Sequence, residues 1–485
     1  AALASALLAV GCGGAAASET APPERTLSDG ATAPADDASS PVDGAPGADG
    51  GGSTPPPSGQ GPTGLHVVGN QIQDSSGQPL VLHGVNRSGT EYKCVQGSMI
   101  FDGASNDASV AAIASWKNVN AVRVPLNESC WLAINGANAA ASGGAYEAAI
   151  VGYVALLHKY GLVPILDLHW VGPGTTLATR QQPMADADHA PAFWTAVTTA
   201  FANDTGVVFD LYNEPFPDSN RDSAAGWQCW QNGCTATQAV AADAGPAPTY
   251  AAVGFSQLVA AVRAAEAGGP SHLLLLGGVQ YSNSLSQWLS HAPADPNVAA
   301  SWHVYSNNSC NTATCWNGAP ATLAAMVPLV ATEIGENDCM GGFITTLMQW
   351  LDGKTTGYLA WSWDAYGACV AAGSTTRGSP WSLVTDYTSG TPCQFAGSWG
   401  HPFAGSWGQG DGANNLGQRA PDRRRRPRGP ERVRGRVAGQ IFAGSWGHPG
   451  PGVSISDAAG CERADASSAS CLARQGAGRR RRSSA

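Results

Sequence analysis

The sequence predicts a (β/α)8 barrel, and three observations carry that prediction. Eight short apolar runs alternate with longer helical patterns over about 300 residues, a length one barrel fills. The runs are apolar on both faces, as strands covered by helices on one side and a barrel core on the other must be. No GxGxxG follows the first run, so an open dinucleotide-binding sheet is disfavoured. In chain order the runs are Leu80–His83, Ala121–Pro125, Val163–Leu168, Val207–Leu211, Leu273–Leu276, Ala299–Trp302, Leu329–Thr332 and Tyr358–Trp361. Helical patterns occupy Val110–Lys117, Tyr146–Tyr160, Ala192–Asn203, Tyr250–Ala267 and Phe343–Leu351 between them. The barrel domain is expected over residues 65–395.

The flanks are different polypeptides. Residues 13–62 hold no aromatic side chain and are dominated by Pro, Gly, Ser, Ala and Asp, a composition that cannot offset its ordering entropy and reads as a tether. Before it, residues 1–12 are a short apolar stretch ending in small residues and Cys12. This segment resembles a clipped bacterial lipoprotein signal, with Cys12 as the lipid anchor. Beyond 395 the segment FAGSWG occurs three times, at 395–400, 403–408 and 442–447, among Arg-rich blocks at 423–426 and 479–482. No apolar periodicity survives in 396–485. The tail reads either as a basic, polyanion-binding arm or as the product of a frameshift or duplication.

Charge and cysteine content narrow the function. From Gln394 onward 15 Arg face 6 acidic residues, +9, and the chain total of −10 therefore leaves −19 on everything before it. A body so acidic excludes nucleic acid as a partner and suits a neutral polymer. Charged residues make up only 13% of the chain, against a coiled coil or a charged disordered protein, and no run of eighteen apolar residues occurs. Twelve Cys without a CxxC at zinc spacing point to disulfides and export, hence a secreted or cell-surface protein. Pairs are expected at Cys94–Cys130, Cys229–Cys234, Cys310–Cys315 and Cys339–Cys369, with Cys393 left over, although spacing alone does not fix connectivity.

In a barrel of this kind chemistry belongs at the C-terminal strand ends. The polar residues there are Asn86, Arg123, Asn127, Glu128, His169, Asn213, Glu214, His303, Tyr305 and Glu333, with Trp361 and Trp363. Glu214 and Glu333 each follow an apolar strand directly. A buried carboxylate is costly unless it is used or paired, and two facing one cleft suggest acid/base or nucleophilic work on a glycosidic bond. Glu336 falls outside the strand and is set aside, Glu128 reads as a solvated loop carboxylate as readily as a substrate contact, and Asp167 is assigned to the helical side. Trp170, Trp230, Trp288, Trp316 and Trp381 serve equally as sugar platforms or as core. With no HExxH or HxH pair, no metal or other cofactor is expected.

HGVN at 83–86, NAVRVP at 120–125, ILDLHW at 165–170, DLYNEP at 210–215, WHVY at 302–305, ATEIGE at 331–336 and YLAWSWD at 358–364, in this order, resemble the cellulase-type members of glycoside hydrolase family 5. The resemblance implies that Glu214 is the general acid/base and Glu333 the nucleophile of a retaining reaction. It further implies that Arg123 and Tyr305 keep the Glu333 pKa low, that Asn213 binds the sugar 2-hydroxyl, that His169 and His303 line the catalytic subsite, and that Trp361 or Trp363 forms a stacking floor. The expected protein is a monomeric endo-β-1,4-glucanase acting on cellulose-like β-glucan. A mannanase, a xyloglucanase, a β-1,3-glucanase or a non-catalytic carbohydrate-binding surface protein are the alternatives.

Overall fold

The computed structural model describes residues 61–393 apart from 242–243, 366–367, 370–377 and 380, all within the first of two units, Ala1–Leu416. The signal segment, the linker up to residue 60 and the 396–485 tail lie outside the described residues. Eight parallel strands close into a barrel: β1 (His83–Asn86), β2 (Ala121–Asn127), β3 (Val163–Trp170), β4 (Val208–Asp210), β5 (Leu273–Gly277), β6 (Val298–Tyr305), β7 (Leu329–Gly335) and β8 (Gly357–Ala360). Each pairs with the next in sequence, and β8 closes on β1. This is the (β/α)8 fold the apolar runs predict.

Seven of the runs fall on their strands, and the first is displaced. Pro79–Leu80 instead completes a small antiparallel sheet with His66–Val68 and Gln71–Gln73. That sheet and the residues flanking it deliver Leu65, Ile72 and Leu82 to a cluster with Ala121, Val163, Ile165, Val208, Leu273, Leu275, Ala299, Val330 and Leu359, so they plug the N-terminal end of the barrel. The run was apolar because its residues serve two structures in succession.

Helices α1 (Asp107–Ser115), α2 (Glu128–Leu132), α3 (Gly144–Lys159), α4 (Ala190–Ala200), α5 (Ala224–Asn232), α6 (Phe255–Glu266), α7 (Ala319–Ala324) and α8 (Gly342–Asp352) follow the strands. Their starts are set by local chemistry: Asn106 and Asn127 cap α1 and α2 through side-chain oxygens that accept the Ser109 and Cys130 N–H at 3.2 and 3.1 Å, and Pro opens α4 and α7. The 21-residue stretch Ala139–Lys159, which ends in α3, is long and apolar enough to span a membrane by length and composition, but α3 here buries Tyr146, Ile150, Tyr153, Val154 and Leu157, one stripe at helical spacing.

Disulfides join Cys94–Cys130, Cys229–Cys234 and Cys310–Cys315. The Cys339–Cys369 pairing is corrected: Cys339 is a buried free thiol, and Cys393, left over in the sequence reading, is disulfide-bonded. Loop length sets the expected value of each bridge. Cys94 and Cys130 are 36 residues apart and tie the β1 and β2 ends together, so the Cys94→Ala/Cys130→Ala variant should lose about 3–4 kcal/mol. Opening either five-residue loop should cost about 2 kcal/mol; urea denaturation of the three double variants would show the order, and equal losses would contradict it.

Candidate active site

Successive interior residues turn from apolar to polar toward the C-terminal ends. On β3 the interior positions read Val163, Ile165, Asp167, His169; on β4 Val208, Asp210; on β6 Ala299, Ser301, His303, Tyr305. The N-terminal half is therefore a greasy plug, and every barrel-facing polar group is collected at one mouth. Placement of Glu333 needs one further device. Between β6 and β7 the register slips by a residue, Ser301 opposite Val330 but His303 opposite Glu333. That bulge turns Glu333 inward although Thr332 already points inward and meets Ser301 of the neighbouring strand.

Arg123 is the hub, fully buried beneath the cleft. Its Nη1 donates to Glu333 Oε1 at 2.7 Å and Asn86 Oδ1 at 3.1 Å, its Nη2 to Asn213 Oδ1 at 2.8 Å, and its Nε to Asp210 Oδ2 at 3.0 Å. Asp167 Oδ1 completes the set as an ion pair at 3.0 Å from Nη2. Because a guanidinium only donates, Asn213 must turn its carbonyl oxygen toward Arg123 and its amide nitrogen toward His169 Nε2, 3.2 Å away. His169 Nδ1 then donates to Asp167 Oδ2 at 2.6 Å. Asp167 is thus corrected from the helical side to the barrel interior: it lies two residues from His169, and positions two apart share a strand face.

Glu214 and Glu333 face each other across the mouth. One carboxylate oxygen from each and a ring nitrogen of His303 all lie within 4.8 Å of one another. His303 Nδ1 is 2.9 Å from Glu214 Oε1 and 3.4 Å from Glu333 Oε2, and the Tyr305 hydroxyl donates to Glu333 Oε2 at 2.6 Å. At Gly335 a Cβ would stand 2.8 Å from the Tyr305 ring, so glycine there lets the tyrosine lie flat on β7. The cleft is lined by His169, Gln181, Asn213, Glu214, Tyr305, Glu333, Trp361 and Trp381.

Burial dominates the electrostatics. It pushes Glu214 up to about 8, with Arg123 opposing, and it raises Glu333 too, against the pull of His303 and Arg123. The expectation of a low pKa for Glu333 is corrected accordingly: the contacts with Arg123 and Tyr305 exist, but desolvation outweighs them in the free protein. Asp167 and Asp210 rise to about 7 and 8 for the same reason. His169 and His303 are driven down to about 3 and stay neutral.

A native pKa of about 8 against an ordinary 4.5 means that folded Glu214 holds a proton which the unfolded chain releases. Its contribution to stability is complete below about pH 4.5 and is lost as pH climbs toward 8. Glu214→Gln, which has no proton to lose, should therefore gain on the parent by up to a few kcal/mol between pH 5 and pH 8, at ~1.4 kcal/mol per unit. Urea midpoints across that range would test this, and parallel curves would refute it.

The aromatic candidates separate cleanly. Trp361 is in the cleft, its ring stacked on His169 at 5.6 Å and 16°, while Trp363 is fully buried against Trp116. Strand parity could not choose between them because β8 ends at Ala360, before either residue. Trp381 joins Trp361 in the cleft, edge-on to Tyr305 at 5.3 Å. Trp230, Trp288 and Trp316 are core, and Trp170 lies beside Tyr92. Glu336 accepts the Gly341 and Ile344 N–H groups at the start of α8, the place for a carboxylate at a helix N-terminus. Glu128 is fully buried and not solvated. Asp210 and Gln181 were missed. Asp210 had a signal, a charge in the apolar run VVFDL, whereas Gln181, which donates to the Glu214 carbonyl at 2.6 Å, stands in a loop without pattern.

Residues 74–367 match the family model for cellulase (glycosyl hydrolase family 5). The chain is similar to endoglucanase MaCel5A of Microbulbifer sp. (strain ALW1), at 26% identity over 162 residues, 31% of this chain and 26% of that protein, so it spans about a quarter of that relative. It is also similar to a mannan endo-1,4-beta-mannosidase of Salipaludibacillus agaradhaerens, at 23% identity over 312 residues, 62% of this chain and 81% of that protein. Among solved structures, the native beta-glucanase SdGluc5_26A from Saccharophagus degradans aligns over 70% of this chain and 94% of its own at 18% identity and TM-score 0.48.

Proposed function

This chain belongs to glycosyl hydrolase family 5, and from that premise we propose that it is a retaining endo-β-1,4-glucanase with Glu214 as general acid/base and Glu333 as nucleophile. The observation that carries the reading is the spacing of the two carboxylates, with oxygens within 4.8 Å. A retaining pair stands about 5–5.5 Å apart, whereas an inverting pair at ~6.5–9.5 Å leaves room for water between.

Glu214, pushed up to about 8, keeps at neutral pH the proton that a departing sugar oxygen needs. Glu333 would attack the anomeric carbon from the opposite face, forming a glycosyl–enzyme ester that water then hydrolyses while Glu214 takes the proton back. Its charge as an attacking carboxylate is favoured by Arg123 and by the Tyr305 hydroxyl, both within 2.7 Å. Asn213, clamped between Arg123 and His169, is placed to meet a sugar hydroxyl with either end of its amide. Trp361 and Trp381 supply flat apolar faces for pyranose rings.

A β-1,4-mannanase is the second reading, favoured by the Salipaludibacillus relative, whose name is a mannosidase and of which the match covers 81%. The readings part over the 2-hydroxyl, equatorial in glucose and axial in mannose. Reducing-end release by the full chain from carboxymethylcellulose, mixed-linkage glucan, mannan and laminarin decides between them: faster cleavage of mannan would replace the glucanase reading. Binding to glycan without cleavage would sink both. We also assign the protein to the cell exterior, on the basis of its disulfides.

A further inference from the structure

Outside the residues that line the cleft, Glu128 at the start of α2 and Asp186 and His189 at the end of the β3–α4 loop converge, with one ligand-capable atom from each within 4.8 Å of the others. His189 Nδ1 is 3.3 Å from Asp186 Oδ1 and 3.7 Å from Glu128 Oε1; the two carboxylates are fully buried and the imidazole 20% exposed. Half of each carboxylate is accounted for by structure. Glu128 Oε1 accepts the Gly172 N–H at 3.1 Å, and Asp186 Oδ1 accepts the His189 N–H at 2.8 Å ahead of α4.

The other halves find no partner outside the cluster: Glu128 Oε2, Asp186 Oδ2 and His189 Nδ1 are all buried without one, and the carboxyl groups of Glu128 and Asp186 stand close enough to hydrogen-bond to each other once one of them holds a proton. A third carboxylate, Asp188, repels both, and among the described residues no Lys or Arg forms an ion pair with the cluster. Two fully buried carboxylates with unsatisfied oxygens and no Lys or Arg beside them are expensive. They need either a metal ion or a shared proton.

We propose that Glu128, Asp186 and His189 bind a divalent cation that accepts an imidazole beside carboxylates, Zn2+ being the best match and Ca2+ or Mg2+, which favour all-oxygen shells, poorer ones. The ion would pin α2 to the loop that carries Gln181, and through Gln181 to the Glu214 backbone carbonyl. Its role is structural, since none of its ligands lines the cleft. Sequence spacing gave no hint of the site because its ligands come from two separate segments of the chain.

The test is zinc binding by the full chain after chelator stripping, measured by equilibrium dialysis with metal analysis, alongside thermal melting. Asp186→Asn and His189→Ala probe the site. Glu333→Gln is the control for the Glu214–His303–Glu333 cluster, which also gathers ligand atoms. The parent and Glu333→Gln should each hold one Zn2+ more than Asp186→Asn and melt higher when it is added. His189→Ala, altered at a partly exposed ring and expected to fold, should bind at least ~10-fold more weakly. Equal zinc content in the parent and both site variants would overturn the proposal. So would loss of the ion in Glu333→Gln alone, or an Asp186→Asn protein that gains stability while the parent ignores zinc, the mark of a shared proton. Larger stabilisation of the parent by Ca2+ than by Zn2+ would overturn the choice of ion.

Discussion

Glu333→Ala is expected to lower kcat on the preferred β-1,4-glycan by a factor on the order of 10⁴–10⁶, the cost of losing a covalent nucleophile, while the protein stays folded. Stability should survive because Glu333 is raised by burial, so removing it relieves a desolvation cost, and Arg123 keeps Asp167 and Asp210 as partners. The deleted carboxylate leaves a space that a small anion can enter. With azide and an activated aryl glycoside, Glu333→Ala should recover turnover and yield the α-glycosyl azide, because the anion attacks from the face the carboxylate used. Glu214→Ala should instead give the β-azide, since its glycosyl–enzyme forms normally from an activated substrate and azide replaces water in the second step. Product configuration by NMR separates the two roles. A β-azide from Glu333→Ala would reverse the assignment, and an unimpaired Glu333→Ala enzyme would remove Glu333 from the chemistry.

The two carboxylates were legible because each directly follows an apolar strand, where a buried charge stands out. Seven barrel strands were legible for a related reason, their runs being apolar on both faces. The rest was obscured where one segment serves two ends or where pattern stops. Leu80 looks like the start of β1 yet pairs with Ile72, since apolar character does not reveal which core it joins. Trp361 and Trp363 lie past the last strand residue, where period two no longer operates. The pKa of Glu333 was misjudged because sequence shows its cationic partner but not the depth at which the pair is buried. Asp167 and Asp210, which hold Arg123 from below, were open to sequence: Asp167 shares a strand face with His169 and was put on the wrong side, Asp210 is a charge inside an apolar run, and motif-led reading gave neither any catalytic work where the geometry gives both a positioning one.

Those two aspartates make Arg123 the position of largest expected structural effect. Its guanidinium contacts Glu333, Asp210, Asp167, Asn86 and Asn213 at 2.7 to 3.1 Å, all without solvent. Arg123→Met should cost about 3–5 kcal/mol at neutral pH, the usual result of stripping one partner from a buried ionic cluster. The loss should grow with pH. Asp167 and Asp210, at about 7 and 8 with the cation present, rise further without it, so stability that is intact at low pH drains away over a wider range as pH increases. Arg123→Lys distinguishes charge from geometry. One ammonium restores the charge and most of the stability, but its three donors on one atom cannot reach Glu333, Asn213 and Asp210 together. Turnover should therefore stay down by at least ~10²-fold, the order expected when reacting groups shift by about an ångström. Urea midpoints at pH 5 and pH 8 and kcat/KM for both variants measure the two effects separately. Parental stability in Arg123→Met would mean that the aspartates are neutral and need no cation, and full activity in Arg123→Lys would mean that charge alone organises the cleft.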